Sequence, residues 1–417
     1  MGVAGSAIDR RLRVVVLDHT AAPSGAELAL LSVLEHLDVD RHVVLGASGP
    51  LRQRLADAAG LEVAWMPPRL GVASRAGGTL LAGPQLLQHA ASLAVRLRGL
   101  RPDVVYANSL RSGSYGGLAA LLAGVPLVWH VRDRVTADYL GRRRAQILRV
   151  LIRVLSTHVV ANSRTTAATL LPGSPVTVVP SPLSSPPRPR EERPAGPLVY
   201  VAASRLSPWK GQDVFLRAFA AAFPDGEQRA VVLGGPHFGE TAYADGLRTL
   251  VEELGLQDRV VLRGHRDDVM DELAGADVLV HTPTLPEPFG RVVVEGLAAG
   301  LVVVARGDGG PAETLTDGVD GLLYPPDRPD ELVRLLRLVD GDPALRRRLT
   351  DAGRALGLEF SPERVAAEVL AVCQDAARRG GRGSGSVARL RRARARLRPG
   401  TGPGALPGPP PSGPASR

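Results

Sequence analysis

Residues 198–211 read Leu-Val-Tyr-Val-Ala-Ala-Ser-Arg-Leu-Ser-Pro-Trp-Lys-Gly. The apolar first part predicts a buried strand, which runs into a turn that carries Arg205 and Lys210. Arginine offers a flat fork of donors and lysine offers a compact charge on a flexible stem, so the two suit different atoms of one anion. Lys210 is the only lysine among 51 cationic residues. The turn therefore predicts an anion site; the alternative is one lysine surviving by chance in an arginine-rich chain.

Short apolar runs alternate with helical periodicity on both sides of this stretch. Strands are predicted at Arg11–Asp18, His42–Gly46, Leu61–Met66, Asp103–Ala107, Pro126–His130, His158–Ala161, Val176–Val179, Leu198–Ala202, Ala230–Gly234, Val260–Arg263, Val278–His281 and Val302–Ala305. Helices in the first half are predicted at Gly25–Leu37, Pro84–Leu100, Ser112–Leu122, Arg142–Leu155 and Ser163–Leu170. Apolar strands separated by helices indicate parallel sheets covered on both faces. The fold class is α/β, with two Rossmann-like doubly wound domains facing a central cleft.

The domain boundaries follow from changes in composition. An N-terminal domain spans 1–180, and a Pro- and Arg-rich linker spans 181–197. A second domain spans 198–360. A helix over 361–377 follows, with packing back on the first domain as one hypothesis. Residues 378–417 are rich in Gly, Pro and Arg and are predicted to be a disordered basic tail.

Charge and composition exclude several classes of protein. The net charge is +9, but residues 378–417 hold ten arginines and no acidic residue, so the rest of the chain is nearly neutral. We therefore expect no specific nucleic-acid partner. A single cysteine, Cys373, cannot form an internal disulfide, and no apolar run is long enough to cross a bilayer. The expected location is cytoplasmic.

Two glutamates, Glu287 and Glu295, flank a Pro-Phe-Gly sequence and are eight residues apart. A helix is predicted to open at Phe289 or Gly290, which places Glu287 in the preceding loop and Glu295 inside the helix. The backbone N–H groups of a first helical turn favour a phosphate. Carboxylates on either side can accept hydrogen bonds from sugar and ribose hydroxyls. The alternative is an unrelated loop glutamate and a solvated or buried helix glutamate.

These motifs together resemble glycosyltransferase family 4, whose members are retaining, nucleotide-sugar-dependent enzymes of the GT-B fold. The resemblance extends over most of residues 11–375 and is carried by the motifs at 24–27, 204–211, 286–296, 308–313 and 317–323. It departs from the family at positions 24, 181–182, 204 and 301, where the chain has Ser, Ser-Pro, Ser and Leu. None of these changes removes a charged group, but the change at Ser24 bears on acceptor geometry.

The resemblance implies that domain 1–180 faces the acceptor and that domain 198–360 binds the nucleotide-sugar donor. It also implies roles for individual residues. The catalytic set is His130, Arg205, Lys210 and Glu287. The donor-binding set is Gly25, Arg205, Lys210, Gly264, His265, Phe289, Gly290, Arg291 and Glu295. Asn108, Arg111 and Arg132 follow strand ends of the first domain and are for that reason the predicted acceptor residues. For His130 the alternative is a structural histidine bonded to a backbone carbonyl, and for Arg132 it is a surface ion pair with Asp133.

The implied reaction moves a sugar from a nucleoside-diphosphate sugar to an acceptor, with retention and without a metal or other cofactor. Polysaccharide biosynthesis on a glycan or lipid-linked cell-envelope acceptor is one hypothesis, because the arginine-rich segments 139–155 and 387–398 suit an anionic membrane. That would place the protein peripherally on the inner face of the plasma membrane. The alternatives are a nucleotide-sugar epimerase or hydrolase of the same fold, and a non-catalytic nucleotide-sugar-binding protein.

Overall fold

A computed structural model describes residues 11–22, 24–59, 63–65, 83–187, 196–236, 240–266 and 268–380. The predicted basic segment 387–398 lies outside the described residues, as do most of the predicted tail and residues 188–195 of the predicted linker. Two parallel sheets account for the strands of the described part, so the predicted α/β fold class is confirmed.

The N-terminal sheet has, within the described residues, seven parallel strands in the order β3-β2-β1-β4-β5-β6-β7. The strands are β1 Arg13–Asp18, β2 Asp40–Leu45, β3 Val63–Trp65, β4 Val104–Ala107, β5 Leu127–Val131, β6 His158–Ala161 and β7 Val176–Val178. The helices are α1 Gly25–His36, α2 Pro50–Ala59, α3 Gly83–Leu100, α4 Leu110–Ala123, α5 Ala137–Leu140, α6 Arg142–Leu155 and α7 Arg164–Ala168. Runs of valine form the central strands because β-branched side chains pack well on a pleated surface buried on both faces.

The C-terminal sheet has six parallel strands in the described residues, in the order β10-β9-β8-β11-β12-β13. The strands are β8 Val199–Ala203, β9 Arg229–Leu233, β10 Val260–Gly264, β11 Val278–His281, β12 Val302–Arg306 and β13 Leu322–Tyr324. The helices are α8 Gln212–Ala222, α9 Thr241–Glu253, α10 Val269–Ala274, α11 Arg291–Ala298, α12 Pro311–Thr314, α13 Pro329–Gly341, α14 Pro343–Leu358 and α15 Pro362–Gly380. The order reverses between β8 and β11, which is where ligands bind in open α/β sheets.

The last helix, α15, packs on the N-terminal domain although it follows the C-terminal one. Val365, Val369 and Cys373 are buried in the same apolar cluster as Val14 and Tyr106. The helix runs to Gly380, three residues beyond the predicted end of the helix. The chain thus returns to its first domain.

Direct hydrogen bonds join the two domains. The Glu313 carboxylate accepts from the backbone N–H groups of Arg164, at 2.7 Å, and Thr165 at the start of α7. Arg134 donates to the backbone oxygen of Pro286 at 3.4 Å. These contacts hold the strand ends of the two sheets against each other.

The sequence patterns missed some elements and overextended others. Neither α2 nor β13 was predicted, because α2 has few apolar residues and β13 is only three residues long. The last helix before β7 is Arg164–Ala168 and ends before the predicted Leu170. α11 begins at Arg291, one residue after the predicted opening at Gly290.

Candidate functional site

The loop after β8 holds Lys210 in a short 3-10 helix, Pro208–Lys210. The helix ends at Gly211, whose φ of +66° lies in the left-handed region. A Cβ there would clash with the backbone oxygen of Thr282, so only glycine lets the two loops approach this closely. The Thr282 hydroxyl donates back to the Gly211 oxygen at 2.7 Å. These contacts hold the Lys210 loop against the end of β11.

Lys210, Glu287 and His281 form one connected group. Lys210 Nζ lies 2.6 Å from Glu287 Oε1, and His281 Nε2 lies 2.6 Å from Glu287 Oε2. Burial opposes ionisation of the carboxyl, but the Lys210 charge and the His281 contact hold the pKa of Glu287 well below its ordinary range. The carboxylate is therefore charged and has a partner on each oxygen. Lys210 also lies 4.2 Å from the centre of the Trp209 ring.

His281 is the residue that the sequence analysis missed. The pattern predicted a strand ending at His281, which favoured sheet packing for its side chain. In the structure it ends β11 and its ring contacts Glu287 instead. The available signal was a polar residue at a carboxyl strand end, six positions before a motif glutamate.

Arg205 lies at the same end of β8 but has different neighbours. Its Nε lies 3.9 Å from Glu240 Oε2, and the Ser207 hydroxyl donates to the other oxygen of Glu240 at 2.7 Å. Burial raises the pKa of Asp133 in the N-terminal domain, and the Arg205 charge opposes that rise. Arg205 therefore acts electrostatically on the opposite domain.

The amino end of α11 lies three residues after Glu287. Gly290 caps it with φ of +85°, and a Cβ there would meet Pro311 Cγ at 2.9 Å. Inside the helix Glu295 is buried, and Arg291 Nε lies 3.2 Å from its Oε1. That oxygen makes no hydrogen bond in the described structure. Arg291 also donates to the backbone oxygen of Gly25 at 3.1 Å, which brings the predicted first loop to this helix.

Phe289, a predicted donor-binding residue, is buried. Its ring is buried in the core of the C-terminal domain and packs edge-to-face on Phe360, with ring centres 5.9 Å apart. A large apolar side chain at this position is stabilised by core burial. Its contribution to the site is to hold the loop that carries Glu287.

His130 ends β5 and is fully buried, with its Nδ1 in contact with the Tyr106 hydroxyl. Its Nε2 is buried and has no hydrogen-bond partner in the described part of the chain. Burial, with the Arg132 charge, lowers the pKa of His130 well below its ordinary value. The imidazole is therefore neutral, and it is not bonded to a backbone carbonyl as the structural alternative required.

Asn108 and Arg132 belong to a buried network, which argues against the predicted acceptor contact by Asn108. The Asn108 amide donates to Asp18 at 2.7 Å and to the Ala26 oxygen at 3.3 Å, and its Oδ1 accepts from Arg132 Nε at 2.8 Å. Arg132 is buried and also donates to Ser181 at 3.2 Å, so the alternative of a surface ion pair with Asp133 is wrong. Because both amide hydrogens of Asn108 are used in these bonds, the side chain has no donor left for a ligand. Its oxygen instead holds Arg132 in place.

The possible ligand atoms of Asp18, His19 and Glu27 lie within 4.8 Å of one another, as in a cation site. The Asp18 oxygens already accept from His19, Thr20 and Asn108, so internal hydrogen bonds account for the cluster. Burial and the adjacent Asp18 charge raise the pKa of Glu27 to about 7. In the sequence, Glu27 stands out only as part of the motif at 24–27.

The remaining predicted residues lie at strand ends. Gly264 has φ of +75° and accepts a backbone hydrogen bond from Gly234 at 2.9 Å, and His265 is exposed beside Gly235. Arg111 lies in the first turn of α4, where its charge acts on His19.

The basic segment 139–155 corresponds to α6 and the residues before it. The apolar residues Ala145, Leu148 and Ile152 are buried against the domain core. Arg149 donates to the Val135 oxygen at 2.9 Å and Arg153 to the Pro172 oxygen. Two of the five arginines therefore have structural partners. The outward surface retains Arg142 and Arg143 with the partly exposed Tyr139 and Ile147. In the described chain, no helix combines the length and apolarity needed to cross a bilayer.

Two family matches cover most of the chain. Residues 23–184 match Glycosyltransferase Family 4, and residues 187–356 match the Glycosyl transferases group 1 family. The boundary between the matches falls in the predicted linker. Curated relatives include two proteins named D-inositol 3-phosphate glycosyltransferase. The one from Nocardioides sp. is 32% identical over 304 residues, which cover 65% of this chain and 66% of that protein. The one from Streptomyces bingchenggensis is 32% identical over 192 residues, which cover 44% of this chain and 42% of that protein.

Among solved structures, Anabaena HepE in complex with UDP and glucose superposes with a TM-score of 0.74 at 25% identity, over 87% of this chain and 100% of that chain. A sucrose-phosphate synthase from Thermosynechococcus elongatus shares the fold at 17% identity, with a TM-score of 0.71 over 88% of this chain and 99% of that chain. The two-domain arrangement described above is therefore the GT-B fold.

Proposed function

Because the chain belongs to glycosyltransferase family 4, we propose that it transfers a sugar from a nucleoside-diphosphate sugar to an acceptor hydroxyl with retention at the anomeric carbon. The observation that carries this proposal is the Lys210–Glu287–His281 group beside the amino end of α11. It combines a cation, a charged acceptor and outward backbone N–H groups at one strand end. These are the groups that a glycosyl diphosphate requires.

The leaving diphosphate gains negative charge as its bond to the sugar breaks. Arg205, Lys210 and the first turn of α11 would stabilise that charge from fixed positions. Lys210 is partly shielded from water, with 14% of its side chain exposed, so its charge is weakly screened. Two side-chain cations and a helix end support a reaction that needs no metal. Undiminished transfer in EDTA would support this part of the proposal.

Glu287 would accept hydrogen bonds from hydroxyls of the donor sugar. Both of its oxygens already have cationic or N–H partners, which makes it a weak covalent nucleophile. This supports attack on the same face as the departing diphosphate. Glu295, with one buried oxygen that makes no hydrogen bond, fits a ribose hydroxyl.

UDP-sugars are the first donors to test, because the matching HepE structure holds UDP and glucose. The acceptor proposal has two arms. The curated relatives suggest D-inositol 3-phosphate, and the outward arginines of α6 suggest a lipid-linked cell-envelope acceptor at the inner face of the plasma membrane. Flotation with anionic vesicles should lose binding in Arg142→Glu/Arg143→Glu but not in Arg248→Glu, an exposed arginine of the other domain. Equal binding by the wild type, the double variant and the control would contradict the membrane arm.

Transfer should be measured with radiolabelled UDP-sugars and both acceptors, for the wild type, Lys210→Ala, Glu287→Ala and the control Arg248→Ala. We expect a loss of at least about a hundredfold in the first two variants and none in the control. Wild-type turnover by both site variants would refute the proposal. Conversion of the donor without any acceptor would instead favour the epimerase or hydrolase, and tight donor binding without conversion would favour a binding protein.

A further inference from the structure

We infer that Tyr106 is a positioning residue that fixes His130 in one tautomer, so that Nε2–H faces the donor sugar and donates to one of its oxygens. The inference rests on the proposed function, because the sugar is the expected acceptor of that hydrogen bond. It concerns a residue outside every motif quoted above. Nothing in the sequence around Tyr106, within the strand Val104–Ala107, marks it as functional.

The geometry starts from two adjacent strands. Tyr106 in β4 pairs with Val128 in β5, so His130 stands two residues further along the same face. The two rings meet edge-to-face with centres 5.8 Å apart, and the Tyr106 hydroxyl contacts His130 Nδ1. Both side chains are almost completely buried, with 2% and 1% exposure, and α15 covers this face. Neither ring has room to turn.

Because His130 is neutral, its ring proton lies on either Nδ1 or Nε2. A neutral imidazole has one N–H donor and one acceptor nitrogen. Burial, with the Arg132 charge, lowers the pKa of His130 and keeps the ring neutral. Burial also raises the pKa of Tyr106, so its hydroxyl keeps its proton.

The chemistry of the two groups selects the direction of the hydrogen bond between the Tyr106 hydroxyl and His130 Nδ1. A phenol O–H is a stronger acid than the N–H of a neutral imidazole, and an imidazole nitrogen is a stronger base than a phenol oxygen. The phenol hydrogen therefore points to His130, which makes Nδ1 the acceptor and places the ring proton on Nε2. The charge of Arg132, which acts on Tyr106, also disfavours the reverse direction.

This arrangement leaves the Nε2–H of His130 available to donate to a ligand. It is buried and lacks a hydrogen-bond partner in the described residues, at the carboxyl end of β5 where ligands bind in this fold. A buried N–H without an acceptor is destabilising until a ligand oxygen satisfies it. A donor-sugar hydroxyl supplies that oxygen.

The test compares Tyr106→Phe with Tyr200→Phe. Tyr200 is a buried tyrosine of the other domain whose hydroxyl donates to the Leu336 oxygen at 3.3 Å, so it controls for the loss of a buried hydroxyl. We expect kcat to fall roughly tenfold in Tyr106→Phe, with KM for the UDP-sugar little changed, and neither to change in Tyr200→Phe. Melting temperatures should fall similarly in both.

Two further readouts separate positioning from simple packing. Tyr106→Phe in a His130→Ala background should cause no further loss of kcat, because both changes remove one interaction. Nitrogen-15 NMR of histidine-labelled protein, with His130 assigned through His130→Gln, should show the Nε2–H tautomer in the wild type and a mixture in Tyr106→Phe. Additive losses of kcat, or an Nδ1–H tautomer in the wild type, would overturn the inference. The NMR result does not depend on turnover, so absence of transfer would count against the proposed function alone.

Discussion

The polar residues at the strand ends of the two domains differ in their exposure and in their partners. In the C-terminal domain, Lys210 and Glu287 keep a small exposed fraction, 14% and 11% of their side chains, and pair across two loops at the strand ends. In the N-terminal domain, Asn108 and Arg132 are buried and bonded to each other beneath the surface. The first arrangement holds charges ready for an anion. The second supports the residues above it, which means that a polar residue at a strand end is not necessarily a ligand contact.

The largest expected effect comes from breaking the C-terminal group. Glu287→Ala leaves Lys210 and His281 without their shared acceptor in a nearly buried place, so we expect a loss of about 3 kcal/mol in unfolding free energy and of at least about a hundredfold in kcat/KM. Urea unfolding and steady-state kinetics measure the two effects. Glu253→Ala, an exposed glutamate at the end of α9, should change neither. A fully stable and active Glu287→Ala would show that the two domains do not differ in this way.

The N-terminal network is tested next through Glu27. Its folded pKa, raised to about 7, lies above the ordinary ~4.3 of a glutamate, so the folded protein binds the extra proton between these values. The contribution of Glu27 to stability is therefore fully present below about pH 4 and is lost as pH rises through about 7, by about 4 kcal/mol at most.

Glu27→Gln should remove that slope when unfolding free energy is measured between pH 4.5 and 8. The matched control is Glu35→Gln, an exposed change on the same helix α1, which should retain it. An unchanged slope in Glu27→Gln would mean that Asp18 and Glu27 do not share a buried site.

Acid should act on the C-terminal group with the opposite sign. Burial opposes ionisation of Glu287, but Lys210 and His281 hold its folded pKa below its unfolded one, so its contribution is present above the ordinary glutamate range and is lost as pH falls through the lower folded pKa. The unfolding free energy of Glu287→Gln should therefore fall less steeply than that of the wild type as the pH is lowered. Circular dichroism titration below pH 4 measures the difference, and parallel curves would contradict it.

The smallest expected effect concerns the contact between the domains. Glu313→Gln removes the charge that accepts from Arg164 and Thr165 N–H groups at the start of α7. We expect donor affinity to fall only a few fold, because one exposed capping contact contributes about 1 kcal/mol. Calorimetry with UDP and small-angle scattering would show weaker binding and a larger radius of gyration. Asp317→Asn, in the turn before β13, should leave both unchanged.

How much the sequence predicts differs between the domains for a physical reason. Arg205 and Lys210 are five residues apart, as local as a turn, and Glu287 and Glu295 flank one helix end, so short motifs reveal them. The Asp18–Asn108 contact joins residues 90 positions apart, and no local pattern shows it. The alternation of strands and helices was sufficient to predict both parallel sheets, because apolar residues follow one pattern in buried strands and another in the helices that cover them.

Two residues show what the short patterns leave out. Phe289 is placed in the predicted donor site by its neighbours in the motif, and the structure adds that its ring is stabilised by burial against Phe360, which follows α14. The strand pattern predicts that His281 packs in the sheet. Its contact with Glu287 depends on how β11 and the following loop meet, which the local pattern does not show. In both cases the tertiary contact, which the chain segment alone does not contain, decides the role.

Calorimetry of UDP and uridine binding to the wild type and to Lys210→Ala tests the central claim most directly, because the two ligands differ only in the diphosphate. If Lys210, Arg205 and the amino end of α11 hold the diphosphate, UDP should bind the wild type far more tightly than uridine does, and the variant should lose at least about a tenfold part of that difference. An unchanged ratio of the two affinities in Lys210→Ala would contradict the account.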